Sequence, residues 1–106
     1  MKSDYVMIFV TCGSKREAEL VAGSLLKKRL VACANIIDKV ESKFWWKGRV
    51  DKTREALAIF KTSVGNFRAV ERDVKRLHSY EVPEIIAIPI MALSKDYRDW
   101  IEDSVV

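Results

Sequence analysis

Residues 31–61 read VACANIIDKVESKFWWKGRVDKTREALAIFK, and this stretch decides the architecture. It opens on a small-apolar and β-branched run, Val31 to Ile37. It then alternates, with Val40, Ser42, Phe44 and Trp46 on one side and Glu41, Lys43 and Trp45 on the other. Alternation marks a strand, because successive side chains point to opposite faces. Lys47-Gly48 supplies a two-residue turn in which glycine takes a positive φ. The return arm runs from Arg49 through Glu55 to Ala56-Leu57-Ala58-Ile59-Phe60-Lys61. The stretch is a long hairpin.

Working outward, Tyr5 to Val10 is a continuous β-branched and aromatic run ending at Thr11-Cys12-Gly13. It reads as the central strand, buried on both faces. Ser14-Lys15-Arg16-Glu17 is a capping box, in which the serine oxygen accepts from the third amide and the glutamate returns to the cap amide. The helix that follows carries one apolar stripe, Ala18, Val21, Ala22, Leu25 and Leu26, which must face the sheet. Beyond the hairpin a second helix follows Ser63, with Phe67, Val70, Val74 and Leu77 on one face, and stops near His78-Ser79-Tyr80 before Pro83. Ile85 to Met91 is the last strand, and Pro89, which cannot donate, makes it an edge or breaks it. Ser94 caps a short C-terminal helix carrying Tyr97, Trp100 and Ile101. The order is therefore βαββαβ plus a terminal helix: an α+β, ferredoxin-like sandwich, one domain over 1–106, with an extended hairpin between strands two and three.

The hairpin is too long for the layer that covers it. A strand from about Val31 to Trp46 spans on the order of 50 Å, whereas a first helix of roughly 15 residues covers about 23 Å. About half of the hairpin projects, carrying Phe44, Trp45, Trp46 and two rows of unpaired edge groups. Such an edge needs a partner, and those three aromatics are the expected subunit interface. The alternative is a bulge near Asn35 to Lys39 that folds the hairpin back over its own sheet and hides the tryptophans within one chain.

The composition, 49% hydrophobic and 32% charged, suits a folded soluble domain and excludes disorder. The net charge of +4 comes from 19 basic and 15 acidic residues that are interspersed, which gives no nucleic-acid footprint. Lys27-Lys28-Arg29 and the Arg72, Lys75, Arg76 series read as solvated helix faces. Met1-Lys2-Ser3-Asp4 leads into an apolar run too short for a signal-peptide core or a membrane span, so a cytoplasmic setting without membrane partners is expected. Cys12 and Cys33 form no C-x-x-C pair and are expected to be free thiols.

Several motifs in order carry a specific likeness: Ala32-Cys33-Ala34-Asn35-Ile36, Trp45-Trp46-x-Gly48, Glu55 followed by Lys61-Thr62, His78-x-Tyr80-x-x-Pro83-Glu84-Ile85, and Tyr97 with Trp100. The chain resembles the CutA (divalent-cation tolerance) family from about Val6 to Ile101. The resemblance implies a ferredoxin-like homotrimer, similar in architecture to the PII signalling proteins, with strand extension between subunits. It also implies a response to metal ions, with copper(II) bound by bacterial members, and mammalian relatives associated with anchoring acetylcholinesterase. The ligands proposed in copper-binding members are a cysteine late in the first strand and two adjacent histidines closing the second helix. Here the cysteine position falls on Val10 and the first histidine on Leu77, leaving His78, with Cys12 two residues on from Val10 as a shifted thiol. No cofactor is required by this reading; copper(II) or another divalent cation is the ion to test.

For the single residues two readings stay open. His78 either caps its helix, donating to the last carbonyls, or joins Cys12, Glu81 and Glu84 around a metal. Cys33 reads as a small core hydrophobe. Cys12, in a turn near Lys15 and Arg16, is a loop cysteine or a thiol activated by nearby cations. Glu55 and Lys61 share a strand face and form either a ligand cleft with Trp46, Tyr80 and Glu84 or an ion pair between subunits. A non-enzymatic binding or sensor protein is the leading functional reading. An acylphosphatase-like hydrolase would use Gly13-Ser14-Lys15-Arg16 to hold an anion. An RNA-binding domain would have to stack bases on Tyr5, Phe9 and Phe60, without an RNP1 sequence.

Overall fold

A computed structural model describes residues 4–106; the reading of Met1 to Ser3 lies outside the described residues. Strand β1 spans Tyr5–Cys12, helix α1 Lys15–Lys27, β2 Cys33–Trp46 and β3 Arg49–Ser63. A 3-10 turn over Val64–Asn66 leads into α2 (Phe67–Leu77), followed by β4 (Ile86–Pro89) and α3 (Lys95–Ser104). The four strands form one antiparallel sheet in the order β2-β3-β1-β4, the ferredoxin-like arrangement. β4 lies at the edge and ends at Pro89, the residue that has no amide to continue it.

The core is one layer deep. Val6, Ile8, Val10 and Cys12 of β1 and Ala56, Ala58 and Phe60 of β3 meet Ala18, Val21 and Leu25 of α1 and Val70 and Val74 of α2. The opposite face of β1, Met7, Phe9 and Thr11, is only half-buried, so the expectation of burial on both faces holds for one face alone. Phe60 and Tyr5 are buried, which leaves no paired aromatic platform on which RNA bases would stack. Among the described residues no helix is long and apolar enough to cross a membrane.

The two helices are tied by a buried acid. Asp73 of α2, 5% exposed, accepts from Ser24 Oγ at 2.6 Å, Lys28 Nζ at 2.6 Å and Arg76 Nη2 at 2.9 Å. Burial alone would raise its pKa; the hydrogen bonds from Lys28, Ser24 and Arg76 outweigh that and bring it to about 2.

The hairpin projects. β3 pairs with β1 only from Ala56 to Ser63, so Arg49 to Glu55 pair with β2 alone, and β2 is itself an edge strand. A bulge does interrupt β2: Ile37 pairs with Leu57 and Val40 with Glu55, and Lys39 takes φ 61°. It does not bury the tip, however, because Phe44, Trp45 and Trp46 remain 38%, 75% and 44% exposed within one chain. Both turn residues, Lys47 at φ 51° and Gly48 at φ 81°, are left-handed, the pattern of a type I′ hairpin whose twist matches its strands.

Candidate functional site

Two clusters flank the C-terminal end of β1. The first joins Cys12, Glu17 and His78, whose ligand-type atoms all lie within 4.8 Å of one another. Glu17 is brought there by the capping box: the Glu17 amide donates to Ser14 Oγ at 3.1 Å, and the carboxylate turns back to accept from Gly13 N at 3.1 Å, one residue before the cap. Its other oxygen accepts from Ser79 N at 3.1 Å. Burial works to raise the Glu17 pKa, but the hydrogen bonds from Ser79 and Gly13 and the nearby His78 bring it below the usual carboxylate value.

His78 terminates α2 and its side chain is fully buried. It caps its own helix through its backbone amide, which donates to the Val74 carbonyl at 2.8 Å, while its ring turns to other partners. Nε2 lies 2.7 Å from the Thr11 carbonyl oxygen, and the Tyr80 amide donates to Nδ1 at 3.0 Å. An amide can donate only to a bare ring nitrogen, so Nδ1 is unprotonated and Nε2 carries the proton that Thr11 accepts. A metal on Nε2 would leave the ring with no proton at all. Cys12 is fully buried as the last residue of β1, not in a turn, and its thiol is pushed up to about 12 by burial first and then by the charges of Glu17 and Glu55. Neither open reading of Cys12 holds: it is not a loop cysteine, and its thiol is not activated by Lys15 and Arg16. The donor types suit a divalent ion, but both His78 ring nitrogens already hold partners, so an ion here would have to displace the bond to Thr11 or to the Tyr80 amide. Val10 lies in the core and Leu77 packs against it. Glu17 also occupies the Gly13 amide that an acylphosphatase-like loop would need for its anion.

One consequence is measurable. Native protein at pH 8 should alkylate at Cys12 about a hundredfold or more slowly than denatured protein, since the reactive species is the thiolate. Peptide mapping after a timed iodoacetamide pulse reads it, and equal labelling in both states would contradict the burial described here.

The second cluster is a cleft of about 800 Å³ between the hairpin and the segment from Tyr80 to Glu84. Directly paired residues share a face, so Ser42 and Phe44 of β2 stand beside Thr53 and Asp51 of β3; Trp46, opposite Arg49, and Glu55, opposite Val40, lie on the same face at its two ends, and all six line the cleft. Thr11 closes the end by β1. Glu55, 7% exposed, accepts from the Tyr80 hydroxyl at 2.7 Å through Oε2. Among the described residues no basic group pairs with it and no hydrogen bond reaches its other oxygen. The Tyr80 hydroxyl is raised in consequence, by burial first and then by the bond to Glu55. Glu84 is raised too, by burial and then by the Glu55 charge. Tyr80 also stacks, tilted, on His78 with ring centroids 4.7 Å apart, so the first cluster positions a wall of the second.

The cleft therefore unites Trp46, Glu55, Tyr80 and Glu84, together with Phe44 and Trp45, and excludes Lys61. Lys61 lines a separate shallow groove with Met7, Met91 and Tyr97, where its ammonium donates to Asn35 Oδ1 at 2.7 Å. Cys33 is half-buried in that neighbourhood, 3.9 Å from the Tyr97 hydroxyl, rather than in the core. Sequence reasoning missed Asp51 and Thr53; their positions opposite Phe44 and Ser42 follow once the turn is fixed at Lys47-Gly48. Glu81 lines the cleft as well, away from the Cys12 cluster in which it was expected to help.

A family model described as CutA1 divalent ion tolerance protein matches residues 6–104. The chain is 43% identical over 98 residues to the divalent-cation tolerance protein CutA of Archaeoglobus fulgidus, covering 92% of this chain and 95% of that protein. It is 37% identical over 99 residues to the rice protein CutA 1, chloroplastic, covering 93% of this chain and 56% of that relative, so it spans little more than half of the rice protein. Among solved structures, the periplasmic divalent cation tolerance protein CutA from Archaeoglobus fulgidus superposes with a TM-score of 0.94 at 41% identity, covering 96% of this chain and 99% of that one. CutA1 from Oryza sativa gives 0.95 at 36% identity, covering 98% and 95%.

Proposed function

The chain belongs to the CutA1 divalent ion tolerance family, and on that premise we propose that it is a non-catalytic, homotrimeric binding protein of the cytoplasm that takes a cation into the cleft at Glu55. The observation that carries the reading is the Glu55 carboxylate itself. It is more than nine-tenths buried, bonded to one neutral hydroxyl and paired with no basic group among the described residues. No buried side-chain oxygen lacks a partner among the described residues, so the second Glu55 oxygen is open to the cleft, where a cation can reach it. The names of the relatives speak of divalent cations, which fits the sign of the site. Oxygen donors at Glu55, Glu84 and Tyr80 would hold such an ion, with Cys12 and His78 left to their structural bonds. The exposed aromatic tip and the free edges of the hairpin support assembly with two further copies. The two relatives are named for a chloroplast and a periplasm; the cytoplasmic setting proposed for this chain is its own.

Calorimetric titration of metal-stripped protein with copper(II), zinc(II) and manganese(II) tests this. Glu55→Gln should weaken binding by about tenfold or more, the order of one lost charge-assisted bond, while His78→Gln keeps the affinity and loses stability. Binding abolished by His78→Gln and untouched by Glu55→Gln would move the site back to the Cys12 cluster.

A further inference from the structure

Charges that are interspersed along the chain are sorted in space. Residues 15–29 and 67–77, the helical layer, carry nine basic and four acidic side chains, so the layer is positive by five while the rest of the chain is negative by one. The sorting is sharpest on α2. Val70 and Val74 face the core, and at about 3.6 residues per turn the opposite side of the helix falls on Arg72, flanked by Arg68, Lys75 and Arg76. These four are the exposed residues of α2, and all are cations. We propose that the outer face of α2, with Lys28 beside it, binds the phosphate backbone of a double-stranded nucleic acid without reading its sequence.

The acids of this face do not cancel it. Asp73 Oδ1 accepts from Lys28 Nζ at 2.6 Å and from Arg76 Nη2 at 2.9 Å, and Glu71 meets Arg68 at 3.0 Å and Lys75 at 3.5 Å. Each acid gathers two cations and neutralises one. Arg72 lies one turn from both Arg68 and Arg76 and makes no ion pair among the described residues. Five cations are thus held side by side against two acids, and the four with an acid partner stay half-exposed or more. A duplex, with about one phosphate charge per 1.7 Å of its axis, is the partner such a row attracts most strongly.

Three observations favour this partner over other anions. Neither the cleft nor the shallow groove includes a residue of α2, so the face is an open surface suited to an extended ligand and not to a small one. A helix that lies on a bilayer sets large apolar side chains into the lipid beside its basic face. On α2 those side chains are already spent, since Val70 and Val74 are in the core and Phe67 and Leu77 pack against it. An acidic protein would dock through aromatic or aliphatic anchors, and the exposed residues of α2 include neither. For the same reason the bases find nothing to stack on, and the contact is to phosphate. The face shares no residue with the cleft, so the inference neither rests on the cation site nor competes with it.

Fluorescence anisotropy of labelled mixed-sequence duplexes, one of DNA and one of RNA, titrated with the full chain from about 50 mM salt upward, is the test. Binding should be indifferent to sequence, and for DNA log K should fall against log salt with a slope of about −3 to −4, that of about four phosphate contacts. Arg72→Gln, which breaks no ion pair, should weaken binding about threefold or more and make the slope shallower by about one. Lys95→Gln removes the same charge from α3 and should leave both quantities unchanged. Binding of one duplex alone would identify which nucleic acid supplies the phosphates. No binding of either duplex at low salt would overturn the proposal. So would equal losses in Arg72→Gln and Lys95→Gln, which would trace the attraction to net charge and not to this face. Capture by phosphatidylserine vesicles without duplex binding would give the face to a membrane instead.

Discussion

Asp73→Asn should cost about 2 kcal/mol of stability at neutral pH. A carboxyl whose pKa falls from 3.8 to about 2 on folding favours the folded state by about 2 kcal/mol once both states are ionised. The sign follows from the direction of the shift. Because the folded pKa is depressed, the stabilisation is complete above the unfolded value and disappears as pH falls through about 2. The partners are half-exposed Lys28 and Arg76, which return to water at little cost, so the loss stays near the lower end for a buried ion pair. Urea midpoints of wild type and Asp73→Asn, compared at pH 7 and below pH 3, provide the check. A gap that persists unchanged in acid would show that packing, not charge, is what Asp73 supplies.

The second large effect concerns assembly. Replacing Trp45 and Trp46 together by alanine should turn the proposed trimer into a monomer in light scattering at micromolar concentration. Buried aromatic anchors typically cost 2 kcal/mol or more each when truncated, so two of them weaken association by roughly a thousandfold or more. The monomer should keep its circular dichroism spectrum, because Arg49 to Glu55 and their β2 partners make no pairing with β1. A wild-type protein that is itself monomeric would end this line of reasoning, as would a double variant that remains trimeric after dilution to nanomolar concentration.

The fold was legible because its signals are local. The capping box at Ser14, the turn at Lys47-Gly48, the two helical stripes and Pro89 each fixed one element by its own chemistry, and the order of elements left one topology. What sequence could not supply was the meeting of distant segments. Glu17 read as a capping residue, which it is, and nothing near it in the chain announces that its carboxylate also receives Ser79. The backbone of His78 does cap its helix, donating to Val74, but its ring reaches Thr11, 67 positions away in the chain, and nothing local announces that contact. Cys12 was placed among cations because Lys15 and Arg16 follow it; the charges that reach it are Glu17 and Glu55. Glu55 and Lys61 do share a face, yet the strand between them is long enough to put them in different depressions of the surface.

The bulge at Lys39 has a consequence for the cleft. Before it, the odd-numbered residues of β2 lie on the side of Leu57; after it, the even-numbered ones lie on the side of Glu55. The extra residue inverts the parity of the strand. Deleting Lys39 would set Asp38 opposite Ala56 and leave Val40 opposite Glu55, so the tip keeps its rows and loses only the local kink. A single left-handed backbone position thus re-aims the projecting arm without changing which side chains that arm presents to the cleft.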